Sequence, residues 1–424
     1  MKRILILMGS YFPKPQANGI CVHQISLALK NIGYDVHIIC FKKDGDLSED
    51  EFEGVYVHRV KPRFVYRLTE YCESRTITKR IKIIRSMATL IHRLKRLLFL
   101  PLYPMTSPML IWRFYNTAVK LHQKVMGFDI LLSVYNPFAA LVAGAMVKKK
   151  FNNLKFVLYV LDTLTNTGGT TFLSSKQVEK KGWRWEKRIY KYADLIINMK
   201  CHETHHQQKR YDLYREKMAL TDSPLFRPLK CDNESKVSPF DGRHQHWVYT
   251  GRLIMKSYDP WYAVKIFELL TTRGENIKFH FYSRGNCEDK LSKYEEKTGG
   301  AIIRHGFVES KEAIAAILGA DFLVSFGTAE ASMIPSKIFE YISTGKPIIH
   351  FYKQVNDVCI QYFERYPLAL TIKQDETQLE TNAERVMNFI KLNIGKRVKR
   401  EEIEEYFIMN KPEYTANFIN ERLT

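Results

Sequence analysis

Short apolar runs alternate along the chain with segments whose apolar residues recur every three or four positions. Lys2 to Met8 is an apolar run without alternation, as in a strand covered on both faces. A polar loop with Pro13 and Pro15 follows. Val22, Ile25, Leu29 and Ile32 then recur at helical spacing, and Gly33 ends that helix. Val36 to Cys40, Asp129 to Val134 and Lys155 to Leu161 are further buried strands, the last two joined by an apolar helix around Ala139 to Val147. The second half repeats the cycle. His246 to Thr250, Ile277 to Tyr282, Ile302 to Val308 and Asp321 to Ser325 predict strands. Helices follow Pro260, span Lys311 to Gly319, and run from Pro335 toward Gly345. Strands alternating with helices predict α/β domains built on parallel sheets covered on both faces.

The stretch from Ser223 to Arg243 is polar, contains three prolines and has little periodicity, so it predicts a linker. The expected domains are 1–222 and 244–398, joined by 223–243, with a helical tail over 399–424. At 424 residues each domain can bury its own core. The seven cysteines are scattered without a C-x-x-C pair, which predicts reduced thiols and a cytoplasmic protein. His202, His205 and His206 have no carboxylate or cysteine spacing to complete a metal site, and no other metal motif is visible. No run approaches the length of a membrane span.

The formal charge of +20 calls for an acidic partner or surface. The segment 74–128 contains no Asp or Glu but carries, among others, Lys79, Arg80, Lys82, Arg85, Arg93, Lys95 and Arg96. Within it Ile84, Met87, Ile91, Leu94 and Leu98 form one helical stripe, with Lys82, Arg85, Arg93 and Arg96 roughly opposite. A basic amphipathic helix of this kind suits the surface of an anionic membrane. The same pattern also fits a core-packed helix with a solvated basic face. Nucleic acid is not expected, because no reader motif or stacking platform accompanies the charge.

One stretch concentrates candidate chemistry. After the strand Asp321 to Ser325 come a polar loop, Ile334, Pro335, Ser336 and Lys337, and then Glu340 on roughly the same helix face. The loop stands at the carboxyl end of a strand, where open parallel sheets bind ligands. A helix start favours an anion there, and Ser336 and Lys337 add a hydroxyl and a positive charge. Donors for a phosphate beside a carboxylate for sugar hydroxyls would suit a phosphate ester of a sugar.

The series Ile334-Pro335-Ser336-Lys337-Ile338-Phe339-Glu340-Tyr341, followed by Gly345, Pro347 and Ile348, resembles the nucleotide-sugar loop of retaining, GT-B-fold glycosyltransferases of family 4. The common pattern of that family has a second glutamate ahead of this one, with seven residues between them, where this chain has Ser332. Gly251-Arg252-Leu253 and the segment Trp185 to Ile197 resemble the family as well. The resemblance implies two Rossmann-like, doubly wound domains facing a cleft, with the C-terminal helix returning to the first domain. It also implies an acceptor-binding first domain and a second domain that binds a nucleoside-diphosphate sugar. That donor is a co-substrate, and no further cofactor is implied.

In this reading Glu340 holds donor hydroxyls, and Arg252, Lys256, Ser336 and Lys337 hold the diphosphate, with Arg284 and Gly285 in a neighbouring strand-end loop. Phe307 and Val308 stand where relatives contact the base, and Ser332, Ile334 and Pro335 complete the donor loop. Arg252 and Glu340 are the expected catalytic pair. In the first domain Gly19 is either a donor-facing loop glycine or an ordinary helix-start glycine. Asp162 is either a substrate contact or a cap for the following amides. The expected function is metal-independent transfer of a sugar to a glycan or lipid-linked acceptor in cell-surface polysaccharide biosynthesis, in the cytoplasm or peripherally on the inner face of the plasma membrane. The alternatives are a GT-B sugar-nucleotide epimerase and a non-catalytic partner subunit.

Overall fold

In Lys2–Leu7 (β1) the side chains from Ile4 to Leu7 are all inaccessible, so both sheet faces are covered. A computed structural model of the chain describes all residues except 1, 14, 63, 74–77, 106, 166–171, 227–228, 230–237, 256, 329–333 and 424. α1 (Ala17–Asn31) buries Val22, Ile25 and Leu29. It ends at Gly33, whose φ of +94° is a left-handed conformation that suits glycine at a helix terminus. β2 (Tyr34–Phe41) lies parallel to β1, with Val36 opposite Ile4.

An antiparallel hairpin of β3 (Glu49–Phe52) and β4 (Val55–Val60) follows, turning through Glu53 and Gly54 at positive φ. It is the one antiparallel pairing in an otherwise parallel sheet among the described residues. Three helices come next: α2 (Phe64–Glu73), α3 (Lys79–Leu98) and α4 (Pro108–Lys124). Thr78 caps α3 by accepting the Ile81 N–H, and Ser107 caps α4 by accepting the Leu110 N–H. The unit continues through β5 (Ile130–Tyr135), α5 (Phe138–Lys150), β6 (Lys155–Val160), α6 (Ser175–Tyr190), β7 (Leu195–Met199), α7 (Glu203–His206) and β8 (Met218–Thr221). The sheet order is β3-β4-β2-β1-β5-β6-β7-β8, so the winding reverses between β1 and β5.

The second unit is wholly parallel. Its elements are β9 (Gln245–Leu253), α8 (Trp261–Thr272), β10 (Ile277–Gly285), α9 (Glu288–Lys297), β11 (Ile302–Arg304), α10 (Ser310–Gly319), β12 (Phe322–Phe326) and α11 (Lys337–Ser343). There follow β13 (Ile348–Tyr352), α12 (Ile360–Phe363), β14 (Ala369–Lys373), α13 (Leu379–Asn393) and α14 (Arg400–Tyr406). The order β11-β10-β9-β12-β13-β14 reverses between β9 and β12. One face packs around Trp247, Phe267 and Phe279, the other around Phe339, Tyr341 and Tyr362.

The chain divides as Met1–Pro224 with Pro412–Thr424, and Leu225–Lys411. Leu225 and Phe226 already pack into the second unit's core, and Arg400–Tyr406 also belongs to that unit. α15 (Pro412–Leu423) returns to the first unit, where Ala416 and Ile419 join the cluster of Val22, Ile25 and Leu29. The Tyr34 hydroxyl donates to Asn420 Oδ1 at 2.8 Å.

Two predicted elements differ. The helix after the donor loop starts at Lys337, two residues beyond Pro335. The apolar stripe of α3, read as suiting either a membrane surface or the core, is split: Ile84 and Ile91 are half-buried, whereas Met87, Leu94 and Leu98 are exposed. Ile81 and Ala88, outside that stripe, provide its buried contacts.

Candidate functional site

In the second unit the crevice lies at the carboxyl ends of β9 and β12, where the winding reverses, the usual ligand position in such sheets. Arg252, near the end of β9, is in register with Arg284 near the end of β10, and both are exposed. Neighbouring strands run about 5 Å apart, and like charges placed opposite each other disfavour the pairing. Among the described residues neither guanidinium meets a carboxylate. Two cations held together without compensation are a place for a multivalent anion. The Arg284 guanidinium lies 4.8 Å from the centre of the Phe307 ring, which is 74% exposed. An exposed aromatic backed by a cation offers a flat surface for a base. Val308, next to it, is half-buried against the Tyr341 cluster.

Gly285 serves the backbone. A Cβ there would stand 1.7 Å from the Leu253 carbonyl oxygen, so only glycine allows β9 and β10 to finish side by side. Asn286 then accepts the Met255 N–H at 2.7 Å and fixes the turn after β9. Lys256 lies outside the described residues.

On the other side of the crevice β12 runs into Gly327. A Cβ on Gly327 would lie 2.1 Å from Asp357 Oδ2. That carboxylate belongs to a buried group beneath the loop: His350 Nδ1 is 3.1 Å from Ser325 Oγ, and Asp357 Oδ1 accepts the Cys359 N–H at 2.8 Å. Burial opposes ionisation of Asp357, but the His350 contact and the Cys359 amide hold its carboxyl below the usual range. Ser332 lies outside the described residues. Ile334 and Pro335 are half-buried, and Ser336 is exposed at the helix start.

The chain enters α11 by a tight turn, with the Ile338 and Phe339 amides donating to the Pro335 and Ser336 carbonyls. Those two amides are therefore already engaged, and side chains carry more of the positive potential than a free helix start would supply. Lys337 Nζ is 2.6 Å from Glu340 Oε2, so the expected phosphate and hydroxyl partners form an ion pair with each other. Glu340 is held in place by its neighbour. The buried Tyr341 hydroxyl accepts the Thr250 N–H at 2.8 Å and lies 3.2 Å from Thr250 Oγ1. Thr250 is two residues before Arg252, so this contact joins the helix bearing Glu340 to the strand bearing Arg252. Sequence reasoning gave Tyr341 no role; its place beside Glu340 in the Phe-Glu-Tyr series was the available signal.

Among the described residues two clusters converge closely enough to be weighed as cation ligands: Asp241 with His244 and His246, and His350 with Asp357 and Cys359. The first is already engaged in hydrogen bonds and ion pairs, including Asp241 to His244 at 2.8 Å and to Lys278 at 3.3 Å.

One of the first unit's cavities, of about 370 Å³, lies at its reversal point between β1 and β5. Gly9 and Ser10 after β1, Asn18, Lys42 and Lys43 after β2, and Asn136 after β5 line it. Gly19 is buried in α1, where a Cβ would meet the Ser10 carbonyl oxygen at 2.5 Å; it seats the helix on the loop and is not among the residues lining the cavity. Asp162 is exposed beyond the end of β6. The lysines were missed, although they follow a strand's carboxyl end as Asp162 does.

The segment around Glu186 contains a buried polar group. Glu186 is inaccessible, and burial raises its carboxyl to about 7 against the hydrogen bond from Tyr211 at 2.9 Å. His205 Nε2 lies 2.7 Å from Thr165 Oγ1 and 2.9 Å from the Tyr211 hydroxyl. Burial lowers its imidazole to about 4, so it is neutral at pH 7.

No protein-family model matches the sequence. No curated protein matches it either. Solved structures do match. A glycosyltransferase from Rickettsia africae ESF-5 superposes with a TM-score of 0.59 at 12% identity, covering 100% of this chain and 97% of that one. An α,α-trehalose-phosphate synthase (UDP-forming) from Burkholderia xenovorans, in complex with glucose-6-phosphate, gives 0.58 at 10% identity and 100% of both chains. HepE from Anabaena, in complex with UDP and glucose, gives 0.55 at 13% identity, with 100% and 99% covered. At these identities the likeness concerns the fold. The chain has the GT-B fold, which it shares with these structures along its whole length.

Proposed function

We propose that the chain is a retaining glycosyltransferase that moves a sugar from a nucleoside-diphosphate donor to a glycan or lipid-linked acceptor. The observation that carries this is the in-register pair Arg252 and Arg284 at the second unit's reversal point, with Tyr341 tying the Glu340 helix to the same strand. The diphosphate lies against the two guanidiniums, the base on Phe307, and the donor sugar's hydroxyls toward Glu340. The neighbours solved with UDP and glucose, or with glucose-6-phosphate, support a nucleotide and a sugar as ligands of this fold.

An acceptor hydroxyl attacks the anomeric carbon on the face that the diphosphate leaves. The new carbon–oxygen bond forms as the carbon–oxygen bond to phosphate breaks, and the departing phosphate oxygen takes the acceptor's proton. Negative charge grows on the diphosphate, and fixed guanidiniums stabilise it without reorganising. The arginines supply the positive charge needed, so we take the transfer to be metal-independent. The acceptor belongs to cell-surface polysaccharide biosynthesis, presented on a lipid carrier at the cytoplasmic face of the plasma membrane.

The test incubates the purified chain with a panel of nucleotide sugars, with and without membrane lipid extract, and follows nucleotide release and the anomeric configuration of the product. Release that depends on lipid extract, with retained configuration, is expected. Glu340→Gln and Arg252→Ala should each lower transfer about a hundredfold or more with the fold intact. Near-normal turnover by either variant removes the assigned roles, and donor isomerisation without acceptor would make the chain an epimerase.

A further inference from the structure

α3 carries two apolar rows. Ile81, Ile84, Ala88 and Ile91 face the protein, the first and third buried and the others half-buried. The second row, Ile83, Met87, Leu90, Leu94 and Leu97, lies in solvent with each side chain 44–60% exposed, and Leu98 beside it is 75% exposed. Steps of four and three keep these residues on one side of a helix. Scattered exposed apolar side chains are ordinary, but a continuous row of them marks a surface that something covers. Lys82 and Arg93 stand exposed on the flank of this row, and Arg85 is exposed further round the helix. The absence of any carboxylate from 74–128 leaves their charge uncompensated within the segment.

The charge selects the occupant. A second copy docking through the same row would bring two basic flanks together, which like charges oppose. An anionic phospholipid surface matches both features, with apolar side chains entering the boundary of headgroups and acyl chains and basic ones meeting phosphates. No helix among the described residues is long and apolar enough to cross a membrane, so the fit is to a surface. We propose that α3 docks the first unit onto an anionic bilayer, with Ile83, Met87, Leu90 and Leu94 as the inserted row. This deepens the acceptor part of the proposed function by naming the surface that meets the carrier's membrane. The docking is measured without donor or acceptor, so its failure would leave the donor chemistry standing.

The test sediments the full chain with vesicles of phosphatidylcholine alone and of phosphatidylcholine mixed with phosphatidylglycerol. Binding to the mixed vesicles, weakened by salt, is expected. Lys82→Glu and Arg93→Glu together should weaken it by at least about fivefold per position. Leu90→Glu with Leu94→Glu should abolish it while leaving the melting temperature unchanged, because both side chains are already exposed. Wild type that ignores the mixed vesicles, or variants that bind as wild type does, would overturn the proposal. So would a dimer in light scattering that these leucine substitutions dissolve, with no vesicle binding.

Discussion

Tyr341→Phe isolates the contact that joins the two halves of the proposed donor site. The ring is buried, and phenylalanine keeps its packing, so the change removes one hydroxyl. Burial pushes this phenol well above its ordinary range, so a neutral hydroxyl is lost at any working pH. Its absence leaves the Thr250 N–H, donated at 2.8 Å, without its acceptor. An unsatisfied buried donor costs about 1–3 kcal/mol. For a domain of this size each kcal/mol is about 2–4 °C in melting temperature, so a fall of roughly 2–12 °C is expected. α11 would also lose its fixed height against β9, and a shift of about 1 Å at Glu340 can cost on the order of a hundredfold in rate. Thermal melting and steady-state kinetics with saturating acceptor measure both effects. Unchanged melting and unchanged kinetics would refute the reasoning. Lower stability with normal kinetics would leave Tyr341 as packing support and dissociate it from Glu340.

Two further predictions follow from single residues. Arg284→Ala should raise the donor KM about tenfold or more with a smaller effect on kcat, the signature of lost binding to the ground state, read from donor titrations. Glu186→Gln tests the buried carboxyl in α6. Its folded value of about 7 lies above the ordinary 4.5, so the folded chain holds a proton there that the unfolded chain releases. The carboxyl's contribution is therefore full below about 4.5 and lost as pH rises toward 7, which amounts to about 3 kcal/mol. His205, lowered to about 4, acts in the opposite sense: its contribution is present above its ordinary 6.5 and lost as pH falls toward 4. The difference in urea stability between Glu186→Gln and wild type should shift in the variant's favour from pH 4.5 to pH 7.5, and a difference that does not change with pH would contradict the buried proton.

Much of the fold is legible because its signals are local. Buried parallel strands are continuous apolar runs, and Val22, Ile25 and Leu29 state their helix by spacing alone. The hairpin at Glu49–Val60 escapes this reading because its first strand is Glu-Asp-Glu-Phe, an exposed edge with no apolar period to detect. The α3 stripe misleads for a related reason. Its apolar arc is wider than one contact can cover, and spacing does not say which part meets the protein. Ile81 and Ala88 do so in place of Met87 and Leu94.

The proposed donor site is legible where it is contiguous. Ile334 to Tyr341 are one stretch, and their order along the chain already puts Lys337 and Glu340 within reach of each other. What the sequence leaves open is how distant strands end together. Arg252 and Arg284 lie far apart in the chain, and only the register of β9 against β10 brings them opposite one another. Glu340 likewise takes its position from a tyrosine hydroxyl bonded to a strand residue 91 positions away. Strand register and buried polar contacts are tertiary choices, made by packing rather than by spacing. The same holds in the first unit, where Gly19 fits the motif position but Lys42 and Lys43, carried by another strand, line the cavity. A motif therefore locates the loop, and the sheet decides which charges from other strands stand beside it.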